Sequence, residues 1–307
     1  MNYQKLLSAA AMAPRAPHLV FTVLGVIWGS TWLGIKIGLD FLPPFTFAAL
    51  RFATATVALL VLAKALHARV PKERDDWLLM MFLGIFQLTI PYGLVFWGEQ
   101  YISSGLAAVL FATLPFFVVL FAHFYVDEKL TKLKGLGIIA SFAGLLAIFW
   151  PEIGTPMGAS NSSVLGAFAV LGSTVSAAMA NVVAKKHADK IDPPFNILIQ
   201  SAICCVLLSA LAILLESETR LTFTPVAVGA ILYLGVFGSA LAFVGLYWLL
   251  TKTSATNTSL LTFISPILAL LLGWVVLGEV PNQGISVGSV LILVGVYLTV
   301  KPPGRLV

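Results

Sequence analysis

Charge is what this chain has least of. Asp, Glu, Lys and Arg make up 10% of its residues, against about 25% in an ordinary soluble domain, and that shortfall excludes a water-facing globule. Cysteine is equally scarce. Cys204 and Cys205 are the two in the chain, adjacent in an apolar run and without the spacing of a metal site or a disulfide, so they read as small buried hydrophobes. The four histidines, His18, His67, His123 and His187, are scattered, and no Ser/His, Cys/His or metal-binding carboxylate constellation marks a membrane-embedded hydrolase or transferase. No catalysis, no cofactor and no metal are expected.

What the chain has instead is apolar residues, at 59%, gathered into segments of about 20 that match the thickness of a bilayer. Ten such spans are expected, near 18–38, 45–66, 77–98, 102–126, 135–150, 163–184, 195–215, 225–250, 255–277 and 284–300. The net charge of +5 does not point to a nucleic acid, because 15 of the 18 cations fall at the termini or in alternate loops, with Lys36 and Arg220 on the other side and Arg51 inside a span. Such a distribution orients the chain with both termini in the cytoplasm. Residues 1–17, with Lys5 before a short apolar run, resemble a signal peptide weakly and are read as an uncleaved cytoplasmic tail, as are residues 303–307.

The spans are organised by a duplication. Residues 83–151 reappear at 234–302, a shift of 151, with Pro115, Glu128, Gly137, Gly144 and Pro151 matched by Pro266, Glu279, Gly288, Gly295 and Pro302. Upstream, Pro43-Pro44-Phe45 falls on Pro193-Pro194-Phe195 at a shift of 150. Two repeats, 18–151 and 163–302, thus hold five spans each. Five is odd, so homologous halves must lie in opposite orientations. The expected fold is an all-α membrane protein of ten transmembrane helices in two inverted five-helix repeats, a design in which a small solute binds near the midplane and alternating access follows from exchanging the halves' shapes.

The Pro, Glu, Gly, Gly frame ending each half, Trp28-Gly29-Ser30 in span one, and Pro44 with Arg51-Phe52 in span two together resemble the drug/metabolite transporter superfamily in its EamA branch. That resemblance covers about residues 20–150 and 165–300 and implies a bacterial inner-membrane exporter, most similar to those for aromatic amino acids. It departs from symmetry at Arg51, which Ser201 matches in the second half.

Several side chains are candidates for the solute site: Trp28 and Ser30 in span one, Gln87 and Tyr92 in span three, Asn181 in span six, Tyr233 and Phe237 in span eight, and Thr262 and Ser265 in span nine. Rings with polar tips suit a cavity for an amphipathic solute, and an amide in a small-residue helix must face a partner. Helix packing and backbone-bonded hydroxyls are the rival accounts of the same residues. Trp97 and Trp248, near span ends, read as interfacial belt residues. Pro115 and Pro266 lie near the middles of spans four and nine and should kink them as gates or hinges. Arg51 is expected to pair structurally with Glu99 at the outer level, with a substrate carboxylate as the alternative, and Lys36 with Asp40 one turn away. Glu128 and Glu279, at span ends, are expected to cap or brace helices.

No Asp or Glu lies near the middle of a span, which favours export without obligatory proton coupling. A drug or organic-cation antiporter and a nucleotide-linked or lipid-linked sugar carrier remain alternatives, the second calling for a basic cluster in the cavity. The expected partners are a small-molecule substrate, amino acids foremost, and the lipid bilayer, with no nucleic acid and a monomer as the unit.

Overall fold

Proline and short hydroxyl side chains set where the helices start. Pro44, the Pro193-Pro194 pair and Pro225 each occupy a helical first turn, where a missing N–H leaves nothing unbonded. Ser103 and Thr224 accept hydrogen bonds from the amides of Leu106 and Ala227, three residues on. The computed structural model describes residues 16–126, 132–149, 161–187, 192–252, 258 and 261–300. Regular structure among the described residues is helical throughout. In chain order there are α1 (Ala16–Leu39), α2 (Pro44–Ala65), α3 (Arg74–Glu99), α4 (Ser104–Phe111 and then Leu114–Val126), α5 (Lys132–Phe149), α6 (Asn161–Lys186), α7 (Pro193–Leu215), α8 (Pro225–Lys252), α9 (Leu261–Leu277) and α10 (Gln283–Val300). Glu128 and the tail 303–307 lie outside the described residues, as does most of the tail 1–17.

Seven of these helices, α1 to α4 and α6 to α8, are long and apolar enough to cross a bilayer, and α5, α9 and α10 carry shorter apolar stretches. Their outward faces are apolar all round: Leu19, Val57, Val61, Ile139, Leu214, Ile267 and Val275 are exposed. A surface of that kind suits lipid, because helices satisfy their own backbone groups.

The packing is reciprocal between the halves. α1 packs on α9 and α8, and α6 packs on α4 and α3; α2 packs on α7, and α5 on α10. In the last pair the backbones touch through glycine. A Cβ at Gly144 would meet the Gly288 carbonyl at 2.7 Å, one at Gly288 would meet that of Gly144 at 2.6 Å, and one at Gly295 would meet the Gly137 carbonyl at 2.5 Å. Residue 144 thus opposes 288 and residue 137 opposes 295, so these helices cross antiparallel.

Two helices widen into π turns at matched places, Gly84–Thr89 in α3 and Val236–Leu241 in α8. In α3, Pro91 two residues further on has no N–H for the ladder, and proline and inserted side chains are recognised causes of such distortion.

Pro115 is not the mid-helix kink expected of it. α4 stops at Phe111, turns through Ala112 and Thr113, and restarts at Leu114, so Pro115 lies in a first turn, where its ring is accommodated. Pro266 does lie inside a continuous helix. Trp248 is buried, contrary to a belt position. Lys36 does not turn to Asp40; its Nζ donates to the Glu99 carbonyl at 2.7 Å and the Ile102 carbonyl at 2.8 Å, closing the end of α3 with a cation.

Candidate functional site

One face of α1 carries Trp28, Thr31, Trp32 and Ile35, the i, i+3, i+4, i+7 stripe of a helix, and all four line a central cavity. Opposite stand Gln87, Pro91, Tyr92 and Val95 of α3, Ala177 and Asn181 of α6, Phe243, Leu246 and Leu250 of α8, and Leu261 and Ser265 of α9. Arg51 of α2 and Phe111 and Leu114 at the break in α4 complete the wall with Thr258. The cavity volume is about 90 Å³. Both halves of the chain contribute to it.

Ring edges fix much of this wall. Trp28 meets Phe243 edge-on with centroids 5.6 Å apart, and Tyr92 meets Phe52 at 4.9 Å and Phe243 at 6.2 Å, geometries that add about 0.5–1.5 kcal/mol per pair beyond buried area. Polar tips are tied down. Trp32 Nε1 donates to Ser265 Oγ at 2.7 Å, and Ser265 Oγ donates to the Trp28 carbonyl at 3.3 Å. The π turns take part as well, since a widened turn leaves carbonyls free of the helical ladder. Gly238 O accepts from Trp28 Nε1 at 3.2 Å and Arg51 Nη2 at 3.2 Å, while Phe86 O accepts from Ser176 Oγ of α6 at 2.8 Å.

Arg51 is 1% exposed and is the one charged side chain among the described residues lining the cavity. It does not pair with Glu99. Its Nε donates to Ser239 Oγ at 2.8 Å, its Nη2 to Gly238, and its guanidinium lies 4.5 Å from the centre of the Tyr92 ring, a cation–π contact of about 2 kcal/mol in a desolvated setting. The π turn of α8 brings Gly238 and Ser239 to Arg51, which a register read from sequence could not show. Arg51 Nη1 and Gln87 Oε1 are both buried without a hydrogen-bond partner, an arrangement that costs about 1–3 kcal/mol per group and more for a charged one. Glu99 is fully buried at the end of α3, off the cavity wall, with neither carboxylate oxygen hydrogen-bonded.

Of the residues expected at a solute site, Trp28, Gln87, Tyr92, Asn181 and Ser265 come together in the cavity. Ser30 and Tyr233 do not line it. Ser30 falls off the α1 stripe, and its hydroxyl lies 2.6 Å from that of Tyr233, between α1 and α8. Phe237 stacks on Tyr233 at 5.9 Å and is 47% exposed on the outside of the bundle, because it lies six residues before Phe243 and off its face. The Thr262 side chain lies outside the described residues. Pro115 and Pro266 are buried but not in the wall. Phe243 and Trp32 were both findable: Phe243 falls on Tyr92 at the shift of 151, and Trp32 stands one turn from Trp28.

Comparison with known proteins agrees with this architecture. The chain is 28% identical over 288 residues to the uncharacterized transporter YoaV of Bacillus subtilis, covering 91% of this chain and 97% of that one. It is 29% identical to an uncharacterized transporter of Archaeoglobus fulgidus, with 92% and 98% covered. The uncharacterized inner membrane transporter YedA of Escherichia coli is 29% identical, with 91% of each chain covered. A crystal structure at 19% identity superposes with a TM-score of 0.67 over 93% of this chain and 96% of its own, which shows the shared fold. Two copies of one family pattern account for nearly the whole sequence, at residues 16–150 and 164–301, and the chain belongs to the EamA-like transporter family.

Proposed function

We propose that this transporter exports amino acids, aromatic ones among them, with related small amphipathic metabolites, by alternating access between two inverted five-helix repeats, 18–151 and 163–302. The observation that carries the reading is the cavity shared by both halves, walled by Trp28, Trp32, Tyr92 and Phe243 and furnished with Gln87, Asn181, Ser265 and Arg51. Rings suit an apolar side chain and the polar groups a hydrogen-bonding head. Inversion is supported by the antiparallel crossing of α5 and α10 through matched glycines, since helices related by a two-fold axis in the membrane plane must run oppositely. The alternation of basic loops supports cytoplasmic termini, and the YedA name supports an inner-membrane site. The single cation among the described residues of the wall suits a carboxylate better than the phosphates of a nucleotide sugar.

Transport without obligatory proton coupling fits a wall free of Asp, Glu and His among its described residues. One observation favours the coupled alternative: Glu99 is fully buried with neither carboxylate oxygen hydrogen-bonded. Flux of labelled phenylalanine, threonine or a nucleotide sugar in proteoliposomes, with and without a pH gradient, tests the reading. Phenylalanine flux independent of the gradient supports it. Flux only with a gradient, lost in Glu99→Gln, replaces facilitation by coupling; flux of the nucleotide sugar alone overturns the substrate class.

A further inference from the structure

We infer that the cavity recognises a zwitterionic head group, Arg51 taking a carboxylate and Gln87 an ammonium; this rests on the transport reading above and names the chemistry of its substrate. Two side chains of the wall each keep one polar atom that nothing in the protein satisfies, Arg51 Nη1 and Gln87 Oε1. They are opposite in character, since a guanidinium nitrogen only donates and an amide oxygen only accepts. Both residues are at least 95% buried, so bulk water does not complete them in this conformation.

Arg51 is held for the purpose. Its Nε and Nη2 are bound to Ser239 and Gly238 of the α8 π turn, and its Cζ lies 4.5 Å from the centre of the Tyr92 ring. That leaves one nitrogen of a fixed fork spare, a geometry suited to a carboxylate oxygen. Gln87 lies inside the α3 π turn, one helical turn ahead of Pro91. An organic anion would complete Arg51 and leave Gln87 Oε1 bare. An apolar amine would complete Gln87 and set its cation in a cavity already holding Arg51. An α-amino acid supplies both charges, and its side chain meets the rings of Trp28, Trp32 and Phe243. Neither head-group residue is duplicated: Ser201 matches Arg51, and Gly238 matches Gln87 at the shift of 151. The site therefore holds one head in one orientation, although the fold around it is repeated.

The test is exchange in proteoliposomes holding the purified full chain. Labelled phenylalanine inside is challenged by external phenylalanine, phenethylamine or 3-phenylpropionate. The expected result is that both half-molecules, each lacking one charge, compete at least about tenfold less well than phenylalanine. In Arg51→Gln the preference over phenethylamine should vanish, and in Gln87→Leu the preference over 3-phenylpropionate. These are ratios within one preparation, so partial loss of folded protein cancels, and the wild-type series stands if a variant fails to fold. Equal competition by either half-molecule in the wild type, or unchanged preferences in both variants, overturns the head-group assignment and leaves the transport reading standing. A wild-type chain that exchanges a nucleotide sugar and not phenylalanine overturns both.

Discussion

Glu279 accepts hydrogen bonds from the Ser104 amide at 3.0 Å, the Ser104 hydroxyl at 2.6 Å and the Gly105 amide at 3.4 Å. The first amides of α4 have no partner within their own helix, and a carboxylate there also meets the positive end of the helix dipole. Glu216 does the same for α2, through Phe45 N, Thr46 N and Thr46 Oγ1 at 2.7, 2.7 and 2.8 Å. Replacing either by alanine should lower stability by about 2 kcal/mol, read as a fall in thermal unfolding temperature in detergent. Gly273→Ala should do likewise with the carboxylate intact, because its Cβ would collide with Glu279 Oε2 and Ser104 Oγ; an unchanged melting temperature for Glu279→Ala would refute the capping role. Sequence placed Glu279 at a helix end but could not name α4 as the helix it serves, since the two groups are 175 positions apart. The same gap misassigned Arg51. A shared depth in the membrane suggested Glu99, whereas the fold brings Ser239 to the guanidinium and turns Lys36 to the α3 carbonyls.

Helices α5 and α10 contribute no described residue to the cavity wall and cross where glycines let the backbones approach so closely that an added Cβ would collide with the facing carbonyl. Close backbone approach is how helices bind one another where lipid removes the hydrophobic drive. Gly288→Leu should therefore force the pair apart at a cost of about 1–3 kcal/mol, while the remaining folded protein keeps its affinity for solute. Thermal unfolding and a binding isotherm on the same preparation check both halves of that expectation, and a lost affinity with an unchanged melting point would show that this pair belongs to the site. These elements were legible before the structure: Gly137, Gly144, Gly288 and Gly295 stand in the duplicated frame, and seven of the expected apolar runs coincide within a few residues with helices long enough to cross a bilayer, the other three overlapping shorter apolar helices among the described residues. The π turns were not. A single inserted position in a helix leaves hydropathy unchanged, yet it brings Gly238 and Ser239 to Arg51.

For the molecule as a whole, the informative feature is where its two halves differ. α4 is broken at Ala112 and Thr113, ahead of Pro115, while α9 runs unbroken through Pro266. The matched positions in α9 are Phe263 and Ile264, at the shift of 151. Pro266 leaves the Thr262 carbonyl without an N–H from four residues on, so α9 already lacks one bond where α4 is parted. Phe111 and Leu114, on either side of the break, line the cavity, as do Leu261 and Ser265 around its counterpart. If the repeats exchange shapes during alternating access, the opposite-facing state has α9 parted at 263–264 and α4 closed. Amide hydrogen exchange tracks this directly, because an opened helical turn loses protection. Trapping the chain with a solute that favours the other state should raise exchange across residues 262–265 and lower it across 113–114, where the Thr113 amide now bonds the Leu110 carbonyl in a tighter turn. Movement of the two segments in the same direction, or of neither, would mean that the halves do not trade conformations through these helices.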